Sequence, residues 1–190
     1  MRKGLLLGLA LVLSVSSFAA DKKVEVDAAG SKIVYVGKKV TGEHTGAVKV
    51  QSGSLTFAKD ALTGGTIVAD MTSITVTDIT DNEYIKKFLE HMASDDFFST
   101  AKNKTATLVV KSAKKVSGNK YSVTADLTIK GKTAPVTFDA EVSADKAVAK
   151  VLVDRTKYDI KYGSGKFFQN LGDKMINDEF SLDVTLALKK

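Results

Sequence analysis

Two histidines, His44 and His91, are the residues of this sequence best suited to metal binding or acid–base chemistry, and the sequence contains no cysteine. A metal site would need both imidazoles together with carboxylates such as those of Asp95 and Asp96. The spacing of these residues does not favour such a site. We expect His91 at a helix end and His44 in a glycine-rich turn, and we predict no metal ion.

Nucleophilic chemistry has no better support in the sequence. Serine and aspartate are plentiful, but no serine stands in a nucleophile-elbow pattern, and no candidate base can be located beside one. No glycine-rich loop of the phosphate-binding type is present either. We therefore predict no catalytic residue, no enzyme activity and no cofactor.

Arg155 is the only arginine after residue 20, in a chain otherwise rich in lysine, and it follows an apolar strand. A guanidinium is the side chain that best forms a planar, two-pronged contact with a carboxylate or a phosphate. Two roles remain open. The favoured one is a structural pair with Asp70, Asp154 or Asp159, and the other is contact with a lipid head group.

The beginning of the chain has the pattern of a secretory signal peptide. Two basic residues precede the apolar run of residues 5–15, and Ala19 and Ala20 follow as candidate cleavage points. The run is too short to span a bilayer. We predict that residues 1–19 are removed after Ala19, that residues 20–190 form one domain, and that the mature protein is periplasmic or secreted without a transmembrane segment.

The charge of the mature chain is mildly positive. Without Arg2 and Lys3, 26 of the 28 basic residues remain against 22 acidic ones, which leaves a net charge of +4. The lysines are scattered through alternating segments, whereas nucleic-acid binding calls for a clustered basic stripe. We therefore predict no nucleic-acid partner.

Residues 121–142 predict a β-hairpin. Apolar side chains take every second position from Tyr121 to Ile129 and again from Ala134 to Val142, so each arm has one apolar face. Two closures remain open, a two-residue turn at residues 131–132 or a wider loop that avoids placing Pro135 in the ladder. Both keep the same residues on the apolar face, because they differ by two in register.

Similar alternation predicts about eight strands in all. Residues 66–76 and 180–188 are two of them, and the alternation continues through residues 158–162. One turn is expected at residues 51–54, and the next is expected to end at residues 64–65.

One helix interrupts the strands. Thr80 stands three residues before Glu83 as a capping box, and apolar residues recur at helical spacing from Tyr84 to Met92. We predict an amphipathic helix that begins near Asp81 and lies over one end of the sheet. Strands on both sides of one helix indicate an antiparallel barrel or sandwich.

Five segments together resemble the YceI-like family, which consists of exported lipocalin-like barrels associated with polyisoprenoid lipids. The resemblance covers nearly the whole mature chain. The segments are residues 41–46 (TGEHTG), 65–74 (GTIVADMTSI), 91–98 (HMASDDFF), 126–138 (DLTIKGKTAPVTF) and 154–160 (DRTKYDI).

This resemblance implies an all-β fold, an eight-stranded antiparallel lipocalin-like barrel with one amphipathic helix near one end. It also implies a tunnel that holds a long-chain isoprenoid lipid non-covalently, with His44 and Arg155 at the mouth near the head group. The candidate ligand-binding residues are Tyr84, Phe88, Leu89, Met92, Phe97, Phe98, Leu127, Ile129, Val136, Phe138, Phe167 and Phe168.

The same side chains could instead fill the barrel, since eight strands enclose a space that is either packed solid or holds one small ligand. The alternative function is then a packed barrel that binds a partner or serves in a stress response. A homodimer is left open. In the tunnel interpretation, residues 167–168 and the helix close one end.

Overall fold

The computed structural model describes residues 21–190 as eight strands, one α-helix and three short 3₁₀ turns. The strands are β1 (Lys22–Lys39), β2 (Gly42–Ala58), β3 (Ala61–Asp70), β4 (Thr105–Ser117), β5 (Lys120–Ile129), β6 (Lys132–Val142), β7 (Lys146–Asp154) and β8 (Ile176–Leu188). The helix α1 (Asn82–Ala93) and the turn Met71–Ser73 connect β3 to β4, and the turns Arg155–Tyr158 and Gly172–Lys174 connect β7 to β8. The predicted signal peptide lies outside the described residues.

The sheet closes on itself. Each strand runs antiparallel to its neighbours in the chain, and β1 also pairs with β8, so that Ile33 of β1 faces Val48 of β2 on one side and Val184 of β8 on the other. A closed barrel has no edge strand, because every strand pairs with two neighbours. The predicted eight-stranded antiparallel barrel with a single helix is therefore confirmed for the described residues.

The connections divide between the two ends of the barrel. Because neighbouring strands alternate in direction, the connections that follow odd-numbered strands share one end. Two of these are tight turns, and two are long, residues 71–104 and residues 155–175. We call this the helix end, since α1 lies there. The opposite end has only short connections, of which the turn at residues 59–60 is one.

Alternation along the strands produces the core. In β5, Val123 is only 1% exposed, whereas its neighbour Thr124 is exposed to solvent. The buried apolar residues form two clusters, one around Leu55, Leu62 and Val123 and the other, toward the helix end, around Leu127 and Tyr158.

The β5–β6 hairpin closes one step earlier than either expected closure. Lys130 and Gly131 form a two-residue turn, both with positive φ (50° and 70°), and Ile129 pairs with Lys132. Positive φ at both central residues is typical of the turn whose twist suits a hairpin. Pro135 pairs with Asp126 at a position that, by the alternation of antiparallel pairs, carries no ladder hydrogen bond to β5. The apolar face is unchanged because the register differs by two.

Of the two turns expected near β2 and β3, the first was wrong and the second ends earlier than expected. Residues 51–54 lie inside β2, where the register shifts between Val50 and Ser52, and the chain turns instead at Lys59 and Asp60. Gly65 lies within β3, where a Cβ atom would come within 2.8 Å of Leu55 Cδ2. This glycine therefore marks close strand packing, and not a turn.

Two predicted strands end early for the same reason. Asp70 accepts hydrogen bonds from the N–H and hydroxyl of Thr72, and Asp154 accepts the same two bonds from Thr156. Each aspartate thereby caps a 3₁₀ turn, so β3 does not continue to residue 76, and residues 158–162 form no strand.

The helix forms as predicted, with a different cap. Asp81, and not Thr80, lies at the N-cap, where its carboxylate accepts a hydrogen bond of 2.7 Å from the Tyr84 N–H. No residue of α1 is fully buried, and its half-buried side chains include Phe88 and Met92, one turn apart. In the part of the chain that the structure describes, no helix is long and apolar enough to cross a membrane.

Inward and outward positions of β5 should respond very differently to charge. We expect Val123→Asp to lower the free energy of unfolding by about 3–5 kcal/mol, because an unpaired carboxylate must be desolvated or protonated. Thr124→Asp, the adjacent outward position, should change it by less than about 0.5 kcal/mol. Urea unfolding of both variants measures this difference, and equal losses would contradict the assignment of the two faces.

Candidate functional site

The interior of the barrel encloses an apolar cavity of about 270 Å³. Inward side chains of all eight strands line it, together with residues of α1 and of the connections at the helix end. A single water molecule needs about 10–15 Å³ of such space, so this cavity is far larger than the gaps found between packed side chains. The barrel is therefore hollow, which the number of strands did not decide.

Small inward side chains explain why the barrel is not filled. Five alanines line the cavity, namely Ala69, Ala106, Ala140, Ala147 and Ala149. Eight strands enclose a space that large inward residues can fill completely. The side chain of alanine is a single methyl group, so at these positions it does not reach the barrel axis and the space there stays open.

The cavity is long. His44 and Leu55, both in β2, line it near the helix end and deep in the barrel. At about 3.3 Å per residue and a strand tilt of roughly 40°, their separation corresponds to about 28 Å along the barrel axis. The shape therefore suits an extended chain better than a compact molecule.

Polar side chains line the cavity only at the helix end. The exposed residues Lys38 and Lys39 contribute to its wall there, together with His44, Phe88 and Asn177. We call these five residues the mouth. The deeper wall is made of alanine, aliphatic and aromatic side chains, so polarity falls from the mouth inward.

A strap, residues 73–78, positions α1 at the mouth. It runs along the part of β2 that β3 does not cover, with Thr75 N–H donating to Ala47 O at 3.0 Å and Thr77 N–H to Thr45 O at 2.9 Å. Gly46 permits this approach, since a Cβ atom there would lie 1.9 Å from the Thr75 carbonyl oxygen.

Asp78 anchors the far end of the strap. Its carboxylate accepts a hydrogen bond from Thr45 N–H at 2.8 Å, and His44 Nδ1 lies 2.8 Å from the other oxygen. Burial works against ionisation, but the Thr45 N–H and the His44 ring outweigh it and hold the pKa of Asp78 below its usual range. The His44 ring also packs edge-on against Phe88 of α1, with 5.0 Å between centroids.

Tyr35 ties β1 to the strap from inside the barrel. Its hydroxyl donates to the Thr75 carbonyl oxygen at 2.7 Å, and its ring lines the cavity. Burial, with a smaller contribution from the charge of Asp78, raises the pKa of Tyr35 to about 12.

Arg155 holds the second long connection in place. It is 4% exposed, and its guanidinium donates to four backbone carbonyls, those of Ile160, Tyr162, Ile176 and Asn177, at 2.7–3.0 Å. These bonds join the chain after β7 to the start of β8. A guanidinium has enough donors in one plane for this task, whereas an ammonium has not.

The expected partners of Arg155 were wrong. Its carboxylate neighbour is Asp178, at 3.7 Å from Nη2, and not Asp70, Asp154 or Asp159. Burial lowers the pKa of the Arg155 guanidinium, and the charges of Asp178 and Asp154 oppose that shift. Because its donors are committed to the backbone, we do not carry a head-group role forward for Arg155, although its side chain contributes to the cavity wall.

Nine of the fourteen candidate site residues line the cavity. They are His44, Phe88, Met92, Phe97, Phe98, Leu127, Ile129, Phe138 and Arg155.

The other five candidates do not line it. Tyr84, Phe167 and Phe168 are about half exposed, because the first faces outward from α1 and the other two from the connection before β8. Leu89 is half-buried on α1, beside the face that bears Phe88 and Met92.

Val136 is buried, in the cluster that contains Tyr158 and Ile160. That segment packs beside the helix-end half of β6, whose pairing with β7 is limited to residues 140–142.

The expected closure of one end by the rings of residues 167–168 is wrong, because both rings are half exposed and neither lines the cavity.

Several wall residues were not singled out from the sequence. Tyr35, Ile67, Leu108, Phe180 and Leu182 line the cavity from β1, β3, β4 and β8. The alternation of their strands could have found them, since each takes an inward position on its own strand. Asn177 had no such signal, because its place at the mouth depends on the connection that Arg155 holds.

The two histidines lie in different elements and contact different residues. His44 contacts Asp78, while His91 lies at the end of α1 with its ring edge-on to Phe97 and Tyr162. Among residues 21–190, no three His, Asp or Glu side chains come together as a candidate metal site. His44 lies in β2, and not in the turn where it was expected.

A closed eight-stranded barrel with one helix and an apolar interior defines a protein of the lipocalin-like class. The model of the YceI-like domain matches residues 25–188, and the chain belongs to this family.

Relatives with names or solved structures agree with that assignment. Protein YceI of Escherichia coli O157:H7 is 37% identical over 75 residues, which cover 39% of this chain and 38% of the relative's own length. BcnA from Burkholderia cenocepacia, whose crystal structure is known, is 25% identical in sequence to this chain. The two structures superpose with a TM-score of 0.69 over 87% of this chain and 99% of BcnA.

A polyisoprenoid-binding domain from Saccharophagus degradans shares the fold at 20% identity, with a TM-score of 0.61 over 87% of this chain and 97% of that domain.

Loss of the hydroxyl should destabilise the protein at one of two buried tyrosines and not at the other. Tyr35→Phe should lower the free energy of unfolding by about 1 kcal/mol, since it removes the bond to Thr75. Tyr158→Phe should leave it unchanged or raise it, because the Tyr158 hydroxyl is buried and has no hydrogen-bond partner among the described residues. Urea unfolding at neutral pH tests both, and a loss above about 1 kcal/mol for Tyr158→Phe would contradict this account.

The free energy of unfolding of the same variants should depend less on alkaline pH than that of the unmodified protein. Burial, aided by the charge of Asp154, raises the pKa of Tyr158 to about 12, as burial does for Tyr35. Between pH 10 and 12 the folded state keeps a proton that the unfolded state loses, so the free energy of unfolding falls as pH rises. Each Phe variant should show a smaller fall across this window, and identical falls would contradict the burial of the hydroxyls.

Proposed function

We propose that this protein is an exported lipid-binding protein, which holds one long-chain lipid of the polyisoprenoid type inside the barrel without altering it. The lipid is held non-covalently for storage, transport or sequestration. This function requires no catalytic group, and the apolar side chains of the deep wall suit a ligand that is held unchanged.

The observation that carries the proposal is the one-sided polarity of the cavity. An extended apolar chain matches the deep wall, and a polar end group matches the mouth, where His44 and Asn177 offer hydrogen-bonding groups beside Lys38 and Lys39. A ligand with this polarity has only one favourable orientation, with its tail inward. The ring of Phe88 packs against His44 and adds an apolar surface at the boundary between tail and end group.

The choice of a polyisoprenoid rests on resemblance. The domain from Saccharophagus degradans that shares this fold is described as polyisoprenoid-binding, and the matching family supports the same ligand class for this chain. Burial of about twenty chain carbons at about 0.8 kcal/mol each is a gross gain of about 16 kcal/mol. Lost translational and rotational freedom costs about 4–15 kcal/mol, and ordering of the chain adds to that cost, so a gross gain of this size is what binding without covalent chemistry requires.

A large side chain placed in the cavity should weaken uptake of the lipid. Ala149 lines the cavity, while the next residue, Lys150, is exposed on the outer surface. Ala149→Trp should weaken uptake of an added polyprenol at least about tenfold, because the indole occupies the space of the chain. Lys150→Trp, the matched control, should bind as the unmodified protein does.

Native mass spectrometry measures the outcome. Protein taken from its export compartment should carry a lipid-sized adduct that organic extraction removes and that added polyprenol restores. Equal uptake by the two Trp variants would place the lipid outside the barrel. A bare protein mass with no uptake would overturn the proposal and favour the alternative of a partner-binding barrel without a ligand.

Export is tested by the N-terminus of the mature protein. Cleavage after Ala19 should leave Ala20 as the first residue, since small Ser17 then stands three residues before the cut. N-terminal sequencing of protein from the periplasm or medium should find Ala20. Retention of Met1 would contradict both the signal peptide and the proposed location.

A further inference from the structure

Exposed apolar side chains are concentrated at the helix end. Nine large apolar side chains are exposed among the described residues, and three of them, Val109, Val116 and Leu152, lie on the strands of the barrel wall. The other six all belong to α1 or to the connections of the helix end. We call them the apolar rim: Val40, Tyr84, Tyr162, Phe167, Phe168 and Met175.

Backbone contacts join the members of the rim to the mouth. Val40 N–H donates to the Met175 carbonyl at 3.2 Å, so the β1–β2 turn and the connection before β8 meet there. Met175 also packs beside Gly165, two residues before Phe167. Lys39 and Ile176, the neighbours of Val40 and Met175, line the cavity. The rim is therefore continuous with the opening of the cavity.

The two phenylalanines follow a hydrogen-bonded turn, and both rings face solvent. The N–H groups of Phe167 and Phe168 both donate to the Ser164 carbonyl, at 3.1 and 3.0 Å, and Ser164 is fully buried. Each ring is 49% exposed. Single exposed apolar residues are common on protein surfaces, but two adjacent rings fixed toward solvent beside a cavity mouth indicate a surface that is covered in use.

Lysines lie among these rings. Lys161 Nζ lies 5.2 Å from the centre of the Phe167 ring, and Lys39 and Lys174 are exposed next to Val40 and Met175. Lys161 pairs with Asp159, and Lys174 has Asp173 beside it, so the local positive charge is modest. Aromatic side chains interspersed with lysine are typical of surfaces that lie in the head-group region of an anionic bilayer.

We propose that the apolar rim docks the protein on the surface of a bilayer that contains anionic lipid, with the mouth toward the membrane. The proposal rests on the lipid-binding function and specifies how the ligand enters. A long apolar chain that crosses water exposes every methylene group to solvent, which is unfavourable in proportion to the apolar area exposed. Docking by the rim lets the chain pass from bilayer to cavity along a continuous apolar surface.

Vesicle flotation of the full exported protein tests docking without reference to the ligand. The unmodified protein should float with vesicles of phosphatidylcholine and phosphatidylglycerol in equal parts, and less with phosphatidylcholine alone. Phe167→Ser with Phe168→Ser should lower the bound fraction about tenfold. Val116→Ser with Leu152→Ser, which removes two more exposed apolar side chains (65% and 59%) from the strands, should not change it.

Uptake of polyprenol separates docking from ligand binding. From vesicles, the Phe167→Ser, Phe168→Ser variant should take up polyprenol about tenfold more slowly than the control variant, and from detergent solution the two should be equal. Equal flotation of the two variants, or no flotation of the unmodified protein, overturns docking even if uptake from detergent persists. Flotation without uptake from either source supports docking and overturns the lipid-binding function instead.

A second copy of the chain is the competing occupant of the rim. Sedimentation velocity of the unmodified protein should show a monomer over the concentrations used for flotation. A dimer that the Phe167→Ser, Phe168→Ser variant dissociates would assign the rim to self-association and overturn docking.

Discussion

The pairing of β1 with β8 is the constraint on which the rest of the structure depends. It closes the sheet, so every strand has two neighbours and the inward side chains of all eight strands face a common axis. Alternation along each strand then separates an apolar interior from a polar exterior. With alanine at five positions of the interior wall, closure produces a cavity and not a filled core.

Closure also determines where irregular structure can accumulate. Strands that alternate in direction send β3 to β4 and β7 to β8 across the same end, and both long connections lie there. Each begins with an aspartate-capped 3₁₀ turn, at Met71–Ser73 and Arg155–Tyr158, at which the chain leaves the sheet. The strap fixes the first connection to β2, and the guanidinium of Arg155 fixes the second to β8. One end of the barrel is thereby available for recognition, while the other has only short turns.

The polarity of the cavity and the exposure of the rim follow from this asymmetry. Residues of the long connections need not alternate between core and solvent, because they do not belong to the sheet. Some contribute apolar side chains to the cavity, as Phe97 and Phe98 do, and others, such as Phe167 and Phe168, turn outward. The mouth, the strap and the rim therefore lie together at the helix end.

The sequence by itself determined the strands that alternate regularly, the helix, and the inward position of residues such as Leu127 and Phe138. These depend on local periodicity, which survives a shift of two residues in register, as the β5–β6 turn shows. Only the tertiary structure decided that the barrel is hollow, that Arg155 binds backbone carbonyls, and that Phe167 faces solvent. Each of these depends on groups distant in sequence that meet across the barrel or between its connections, and no local pattern records which side chains lie opposite one another.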